Sequence, residues 1–233
     1  MRYPNICRGE FLERPNRFVA RVLLEGRGEV VCHVKNTGRC AELLLPGRTV
    51  YLSESDNPLR KTRYDLVAVE KLREKKPPLL VNLDSQAPNQ VAAEWLPKSG
   101  LFPQGTVFRR ESTFGNSRFD FMVQEPDGHQ GFLEVKGVTL EADGVASFPD
   151  APTERGAKHL QELAECRRQG LGAYLLFVVQ MKEMHEVRPN DTRDPAFGKT
   201  LRMAANAGVI ILAVDCKVTP DSLVADHILP VRL

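Results

Sequence analysis

The sequence lacks most of the features that would place it in a well-marked class. It has no apolar run of 18 or more residues, which excludes a transmembrane helix. Its start, Met1-Arg2-Tyr3-Pro4-Asn5, has no apolar core of the kind a secretory leader needs, so the expected location is the cytoplasm. Cysteine is sparse: Cys7, Cys32, Cys40, Cys166 and Cys216 are an odd number, widely spaced, with no Cys-x-x-Cys pair. That argues against a disulfide framework and a structural zinc site, and leaves reduced, buried thiols as the expectation. None of the five histidines (His33, His129, His159, His185, His227) has zinc-ligand spacing. There is no Gly-x-Ser-x-Gly, Walker loop or dinucleotide fingerprint, which argues against a hydrolase triad or a nucleotide-driven motor. No repeat or low-complexity stretch appears.

What is there is an ordinary globular composition, 42% hydrophobic and 27% charged over 233 residues. That length suits one large domain or two small ones. The net charge of +2 is unevenly spread. Residues 1–83 hold 16 Lys and Arg against 10 Asp and Glu, whereas residues 84–233 hold 16 against 20. A basic half joined to an acidic half suits a polyanion gripped by the first and cations held by the second. A chance distribution of surface charge would read the same way.

The first third alternates like an all-β unit. Strands are expected over Phe18–Glu25, Glu29–Lys35, Thr49–Leu52, Thr62–Leu72 and Leu79–Asn82, with turns at Gly26-Arg27-Gly28, Pro46-Gly47 and Asp56-Asn57-Pro58. A short helical or irregular piece runs from Thr37 to Leu44, and Arg73 to Pro78 reads as a polar link. Five strands with short turns suit a small barrel, because closing the sheet removes its edges. An OB-like barrel is expected, although another small barrel gives the same pattern.

Near Leu83 the character changes. Gln86 to Ser99 reads as a helix with Val91, Ala92, Trp95 and Leu96 on one face. Strands follow at Thr106–Glu111, Ser117–Val123 and Gly131–Val138, the last two joined by an Asp127-Gly128 turn. A helix from Thr153 to Gln169, an apolar strand Ala173–Val179, a helix Pro195–Ala207 and a strand Val209–Val214 complete the order α-β-β-β-α-β-α-β. Strands this uniformly apolar are covered on both faces.

Within this frame one group of residues carries chemistry. Asp120 lies between Phe119 and Phe121, while Glu134 and Lys136 stand two apart in the next strand and so share a face. If the intervening turn makes a hairpin, all three converge. Two carboxylates can hold Mg²⁺ or Mn²⁺ with room for water and a phosphate oxygen, and such an ion polarises a phosphodiester and acidifies a bound water. The lysine then orients that water or offsets charge growing on the phosphorane. The structural alternative is an ion-pair cluster that satisfies itself.

Asp120, followed by Glu134-Val135-Lys136 and preceded by a helix, resembles the PD-(D/E)XK nuclease superfamily. Asn36-Thr-Gly-Arg39, Asn57-Pro-Leu-Arg-Lys-Thr62, Arg118-Phe-Asp-Phe121, Phe132-Leu-Glu-Val-Lys-Gly-Val-Thr139 and Phe148-Pro-Asp-Ala-Pro-Thr-Glu-Arg-Gly-Ala-Lys-His-Leu160 together resemble the sugar fermentation stimulation protein A (SfsA) family. The resemblance implies an α/β chain (α+β overall). An N-terminal OB-fold domain over 1–83 would bind nucleic acid. A restriction-endonuclease-like mixed sheet, α-β-β-β-α-β, would fill 84–233. It also implies DNA binding without sequence preference and a regulatory link to sugar (maltose) use that no residue explains. A further acidic ligand often comes from the first core helix of the superfamily. Glu94 matches that place, and Glu111 on the first strand is the second candidate.

Phosphate contacts are expected from three places. Arg155 and Lys158 share a face at the start of a helix, whose N-terminus attracts anions, and His159 lies beside them. In the barrel, Lys35, Asn36 and Arg39 close one loop, and Arg60, Lys61 and Arg63 open a strand. Such loops hold single strands through phosphate contacts and stacking, for which Tyr51 and Tyr64 are candidates, though tyrosine at these places also suits a barrel rim. Two functions fit these observations: a Mg²⁺- or Mn²⁺-dependent nuclease acting on DNA or RNA, and a DNA-binding regulatory protein that no longer cuts. Neither involves a membrane.

Overall fold

The computed structural model describes every residue except Thr37 and Asn116. The expected irregular piece therefore begins outside the described residues, and the part that follows it, Ala41 to Leu43, is a turn. The chain forms two compact units. The first comprises Met1–Ala87 with Gln180–Lys182 and Cys216–Val224, and the second comprises Pro88–Val179, Glu183–Asp215 and Ala225–Leu233. Among the described residues no helix is long and apolar enough to cross a membrane.

The first unit is built on β1 (Ile6–Asn16), β2 (Val19–Leu24), β3 (Gly28–Val34), β4 (Thr49–Glu54), β5 (Tyr64–Arg73) and β6 (Lys76–Asn82), hydrogen-bonded in the order β3-β2-β1-β4-β5-β6. A parallel pairing of β3 with the start of β5, Cys32↔Tyr64 to Val34↔Leu66, closes five strands into a ring. Further along β5 the same edge passes to β6, from Ala68↔Asn82 onward. The ring is thus closed over only three residue pairs, and β6 extends it as a flap. Its interior holds Phe11, Ala20, Val22, Cys32, Val50, Leu52 and Leu66, all essentially buried.

Two expectations are corrected here. β1 was not anticipated, because only Gly9 and Phe11 of its eleven residues are buried and bulges interrupt its pairing with β2. Charged residues and Pro15 disguise it as a loop. Lys76 to Pro78, expected as part of a link, belongs to β6. Two prolines are tolerated there because, among the described residues, β6 pairs only with β5, and no ladder bond is asked of them.

The chain continues into α1 (Ala87–Trp95), which ends in a 3₁₀ turn at Leu96–Lys98. There follow β7 (Val107–Phe114), β8 (Ser117–Gln124), β9 (Gln130–Val138), β10 (Leu140–Ala142), β11 (Val145–Phe148), α2 (Glu154–Arg168), β12 (Gly172–Val179), β13 (Glu186–Pro189), α3 (Pro195–Asn206), β14 (Ile210–Thr219) and β15 (Ser222–Ile228). The main sheet runs β15-β14-β12-β9-β8-β7, with β12 parallel to both β9 and β14, and β8 antiparallel to both β7 and β9. Every residue of β12 is buried, as its apolar run requires. A small sheet, β10-β11-β13, and the return strand β15 are additions that the sequence pattern did not suggest.

α2 packs on β8, β9 and β12 and against α3. Its start is fixed twice. The Thr153 hydroxyl accepts from Gly156 N at 3.0 Å, and Thr153 N donates to Asp194 Oδ2 at 2.8 Å. Asp194 is itself the N-cap of α3, accepting from Phe197 N at 2.9 Å through its other oxygen. One carboxylate thereby holds two helix starts.

β9 and β12 meet at Gly131↔Gly172. A Cβ on Gly131 would lie 2.8 Å from Gly172 Cα and from its carbonyl oxygen, both backbone atoms that have nowhere to move. Gly131→Ala should therefore lower the unfolding free energy by about 1–3 kcal/mol, the usual cost of overpacking. Urea denaturation followed by circular dichroism measures it, and an unchanged midpoint would show that the two strands part without cost.

Candidate active site

The site arises where β8 and β9 separate. Near their shared turn the two strands pair from Gln124↔Gln130 to Phe121↔Leu133, and there the pairing stops. The first half of β8 stays with β7, through Ser112↔Phe119, Thr113↔Arg118 and Phe114↔Ser117. The second half of β9 stays with β12, through Leu175↔Glu134 to Val179↔Val138. Asp120 is the first residue of β8 beyond the fork, and Glu134 is its counterpart on β9.

Asp120 replaces the lost backbone partner. Its Oδ2 accepts from Val135 N at 2.7 Å, and its Oδ1 accepts from Asn89 Nδ2 of α1 at 2.7 Å. Asn89, in the first turn of α1, therefore serves the site. Burial raises the Asp120 carboxyl above its ordinary value and the nearby Glu134 charge raises it further, with the Val135 N–H and Asn89 pulling the other way.

Glu134 is almost fully buried, at 4% exposure. Its Oε1 accepts from Lys136 Nζ at 2.5 Å and from the Nδ1 of His159. Its Oε2 is buried and, among the described residues, has no hydrogen-bond partner. Burial pushes this carboxyl up, but the His159 contact and the Lys136 ammonium outweigh it and hold Glu134 below its ordinary value. The two acids are thus driven apart, one toward the neutral form and one toward the charged form. A buried carboxylate oxygen without a donor costs roughly 1–3 kcal/mol or more. A hard cation supplies what that oxygen lacks, and Asp120 beside it gives a second oxygen donor. The residues therefore fit a divalent ion of the Mg²⁺ or Mn²⁺ kind.

The other expected site residues fall into two groups. Arg155 reaches the site, with its Nε 3.5 Å from His159 Nε2. His159, expected to face a phosphate, is instead turned inward: it is 5% exposed, bonded to Glu134, and edge-on to the Phe119 ring. Its position was readable, since Gly156, His159, Leu163 and Cys166 form one buried stripe of α2. Lys158 is exposed and leans toward Glu162 at 3.9 Å. Neither supplementary acid joins Glu134. Glu94 is exposed on α1 and accepts from Gln90 at 2.8 Å. Glu111 lies level with Asp120 in the register, but its φ of 55° breaks the β7 ladder and its exposed carboxylate pairs with Arg118.

In the first unit most of the expected basic contacts are already engaged. Lys35 Nζ lies 2.6 Å from the buried Asp84, Arg60 grips Asp65 with two nitrogens, and Arg63 pairs with Glu54. Asn36 shapes its own loop, donating to Leu83 O at 3.0 Å and accepting from Gly38 N at 2.8 Å. Tyr64 is buried, which removes it as a stacking partner, while the half-buried Tyr51 donates its hydroxyl to Glu70 at 2.6 Å. Arg39 and Lys61 are exposed and make no ion pair among the described residues. Arg39 lines a groove of about 750 Å³ together with Phe11, Leu12, Arg14, Arg17 and Leu44. Arg14 and Arg17 were not anticipated, because they sit on the unrecognised β1 and the turn after it. The Arg14 guanidinium donates to four backbone carbonyls, of Arg17, Asn36, Gly38 and Arg39, at 2.6–2.8 Å and so shapes the groove wall.

One more cluster has metal-ligand chemistry. Asp215, Asp226 and His227 bring ligand atoms within 4.8 Å of one another, but Asp215 Oδ1 already accepts from His227 N at 2.8 Å.

A small OB domain followed by an endonuclease-like domain with Asp, Glu and Lys at a strand fork defines the class of protein. Residues 12–75 match the SfsA N-terminal OB domain, and residues 86–222 match the sugar fermentation stimulation protein RE domain. The chain belongs to the sugar fermentation stimulation protein (SfsA) family. It is 52% identical over 233 residues to the sugar fermentation stimulation protein homolog of Desulfitobacterium hafniense strain DSM 10664 / DCB-2, covering 100% of this chain and 99% of the relative. It is 50% identical over 223 residues to the homolog of Clostridium beijerinckii, covering 96% of each. Among solved structures, Pyrococcus furiosus SfsA in complex with Ca²⁺ is similar, with a TM-score of 0.85 and 28% identity over 100% of this chain and 98% of that one.

The opposite shifts of the two acids give a stability prediction with a definite sign. A carboxyl raised in the folded state costs stability above its folded pKa, and that cost is relieved as pH falls through it. Asp120→Asn removes the cost and can still accept from Val135 N. In EDTA it should raise the melting temperature at neutral pH, with the gain shrinking as pH falls through the raised Asp120 value. Glu134→Gln should do the reverse, removing stability that is present above the ordinary carboxylate range and lost as pH falls through the lowered Glu134 value. Thermal denaturation at a series of pH values tests both, and a destabilised Asp120→Asn at neutral pH would contradict the assignment.

Proposed function

We propose that the chain is a divalent-cation-dependent nuclease whose endonuclease-like domain hydrolyses phosphodiester bonds of DNA, or of RNA, at the β8–β9 fork. The observation that carries this reading is the partnerless, buried Glu134 Oε2 beside Asp120. Asp120 and Glu134 would hold Mg²⁺ or Mn²⁺. That a similar protein was determined in complex with Ca²⁺ supports a site for hard, oxygen-liganded cations. When bound, such an ion supplies positive charge to the phosphate and acidifies a water. The chain's own groups do the rest. The Val135 N–H and Asn89 keep the Asp120 carboxylate fixed. Lys136 holds an ammonium at the fork, where it can offset charge developing on the attacked phosphate. Arg155, exposed at the start of α2, is suited to a neighbouring phosphate, and helix polarity adds to the attraction. Lys158 is a more distant contact of the same kind.

The division of labour we propose is binding by the OB domain, over 1–83, and cutting by the domain over 84–233. In the first, the groove with Arg17 and Arg39 is the strongest candidate for a nucleic-acid backbone, with Lys61 on another loop. A regulatory protein that binds without cutting would use the same basic surface but has no need of two carboxylates facing an anion.

A cleavage assay decides between these two functions. Labelled single- and double-stranded DNA and RNA are incubated with Mg²⁺, Mn²⁺ or EDTA. Cutting is expected only with metal, and Asp120→Ala and Lys136→Ala should each reduce it at least about 100-fold while binding is retained. No cutting under any condition, with salt-sensitive binding, would favour the regulatory protein. The groove has its own test in the salt dependence of DNA affinity. Arg17→Ala and Arg39→Ala should each flatten the log–log slope by about 0.7 for a single strand or about 0.9 for a duplex per lost phosphate contact. An unchanged slope would move the binding surface elsewhere.

A further inference from the structure

Both donors to Glu134 fall on the same oxygen. Lys136 Nζ and His159 Nδ1 meet Oε1, and Oε2 meets nothing. A buried carboxylate is free to rotate so that each oxygen takes one donor, unless something forbids it. Lys136 is a long and flexible chain on the same strand. The constraint must come from His159, whose ring is enclosed on α2 and set edge-on to Phe119 at 5.9 Å between centroids. The outer nitrogen of that ring faces Arg155, whose Nε lies 3.5 Å from His159 Nε2. Arg155 can only donate, so it favours the tautomer with a bare Nε2 and the proton on Nδ1. That proton points at Glu134 Oε1. Arg155, His159 and Glu134 thus form a chain with its direction fixed from the helix surface inward.

We propose that His159 is the positioning residue of the cation site: it pins Glu134 Oε1 so that Oε2 alone is presented to the ion. This rests on the metal-dependent reading above and deepens it by assigning a role to a residue that touches neither ion nor substrate. Groups that orient a metal ligand through its far side commonly account for 10–100-fold in affinity. The expectation applies to the metal itself, before any nucleic acid is present.

The test measures Mn²⁺ binding to the full chain, without nucleic acid, by titration calorimetry and by the loss of the free-ion electron spin resonance signal. The proteins are wild type, Asp120→Asn, Glu134→Gln, His159→Ala and His159→Asn, each checked for folding by circular dichroism and melting temperature. Asparagine places an amide N–H near the position of Nδ1 but has no ring, so it retains the donor and loses the packing. The expected result is a single site weakened 10–100-fold in His159→Ala and restored to within about threefold of wild type in His159→Asn. A purely structural histidine would lose stability in both variants and would not be rescued by asparagine. Equal affinity in wild type and His159→Ala, or a His159→Asn protein as weak as His159→Ala, overturns the proposal while leaving a Glu134-dependent site intact. Mn²⁺ binding indifferent to Asp120→Asn and Glu134→Gln overturns the metal reading itself, and the proposal with it.

Discussion

The hydrogen bond from Val135 N to Asp120 Oδ2 is the contact on which the site depends. Two strands that pair up to Phe121↔Leu133 and then part leave an unpaired backbone donor at the point of separation. Burying such a donor is costly. A carboxylate at Asp120 removes the cost, and in doing so fixes its own position to within one hydrogen-bond length. The fork and the acid therefore require each other. Without the separation of β8 from β9 there is no room between them for side-chain chemistry. Without Asp120 the separation leaves Val135 unsatisfied.

Glu134 presents the opposite problem. It lies on a strand whose neighbour β12 is wholly buried, and it keeps its charge because Lys136 and His159 stand against it. Burial alone would neutralise both acids. Their surroundings instead separate them, so the fork tolerates two carboxyls in the absence of any cation. The contact is one-sided, however, and a self-sufficient ion-pair cluster would satisfy both oxygens. The self-satisfied cluster that the sequence also allowed is hard to reconcile with a partnerless Oε2.

Period-two alternation and one turn made the core of the site legible. Glu134 and Lys136 had to share a face, and Asp127-Gly128 had to bring Asp120 alongside. α2, β12 and α3 were equally plain from long apolar periodicities. What stayed hidden depended on partners distant in sequence. β1 has too few buried residues to show a pattern, and it takes its order from β2 and β4 on either side. The edge strand β15 and the small sheet of β10, β11 and β13 are short, and they are held by pairing rather than by apolar content. His159 looked like one of three cations at a helix start. Only the register of Gly156, Leu163 and Cys166 shows that it belongs to the buried stripe.

In the first unit the fold engages several of the basic residues that the composition counts. A count of lysines and arginines treats each as available to a phosphate. The fold commits Lys35 to Asp84, Arg60 to Asp65 and Arg63 to Glu54, and it commits Arg14 to four carbonyls with no acid among its partners. Among the described residues Arg14 pairs with no carboxylate, and its guanidinium is held by the four carbonyls. Its charge adds to the potential of the groove while its geometry holds the loop that carries Arg39. On the proposed reading, the attraction for a polyanion would come from Arg14, fixed in the groove, and the contact from Arg17 and Arg39 beside it. Such a groove would gain field without losing side-chain entropy at Arg14, leaving Arg17 and Arg39 to be ordered on binding.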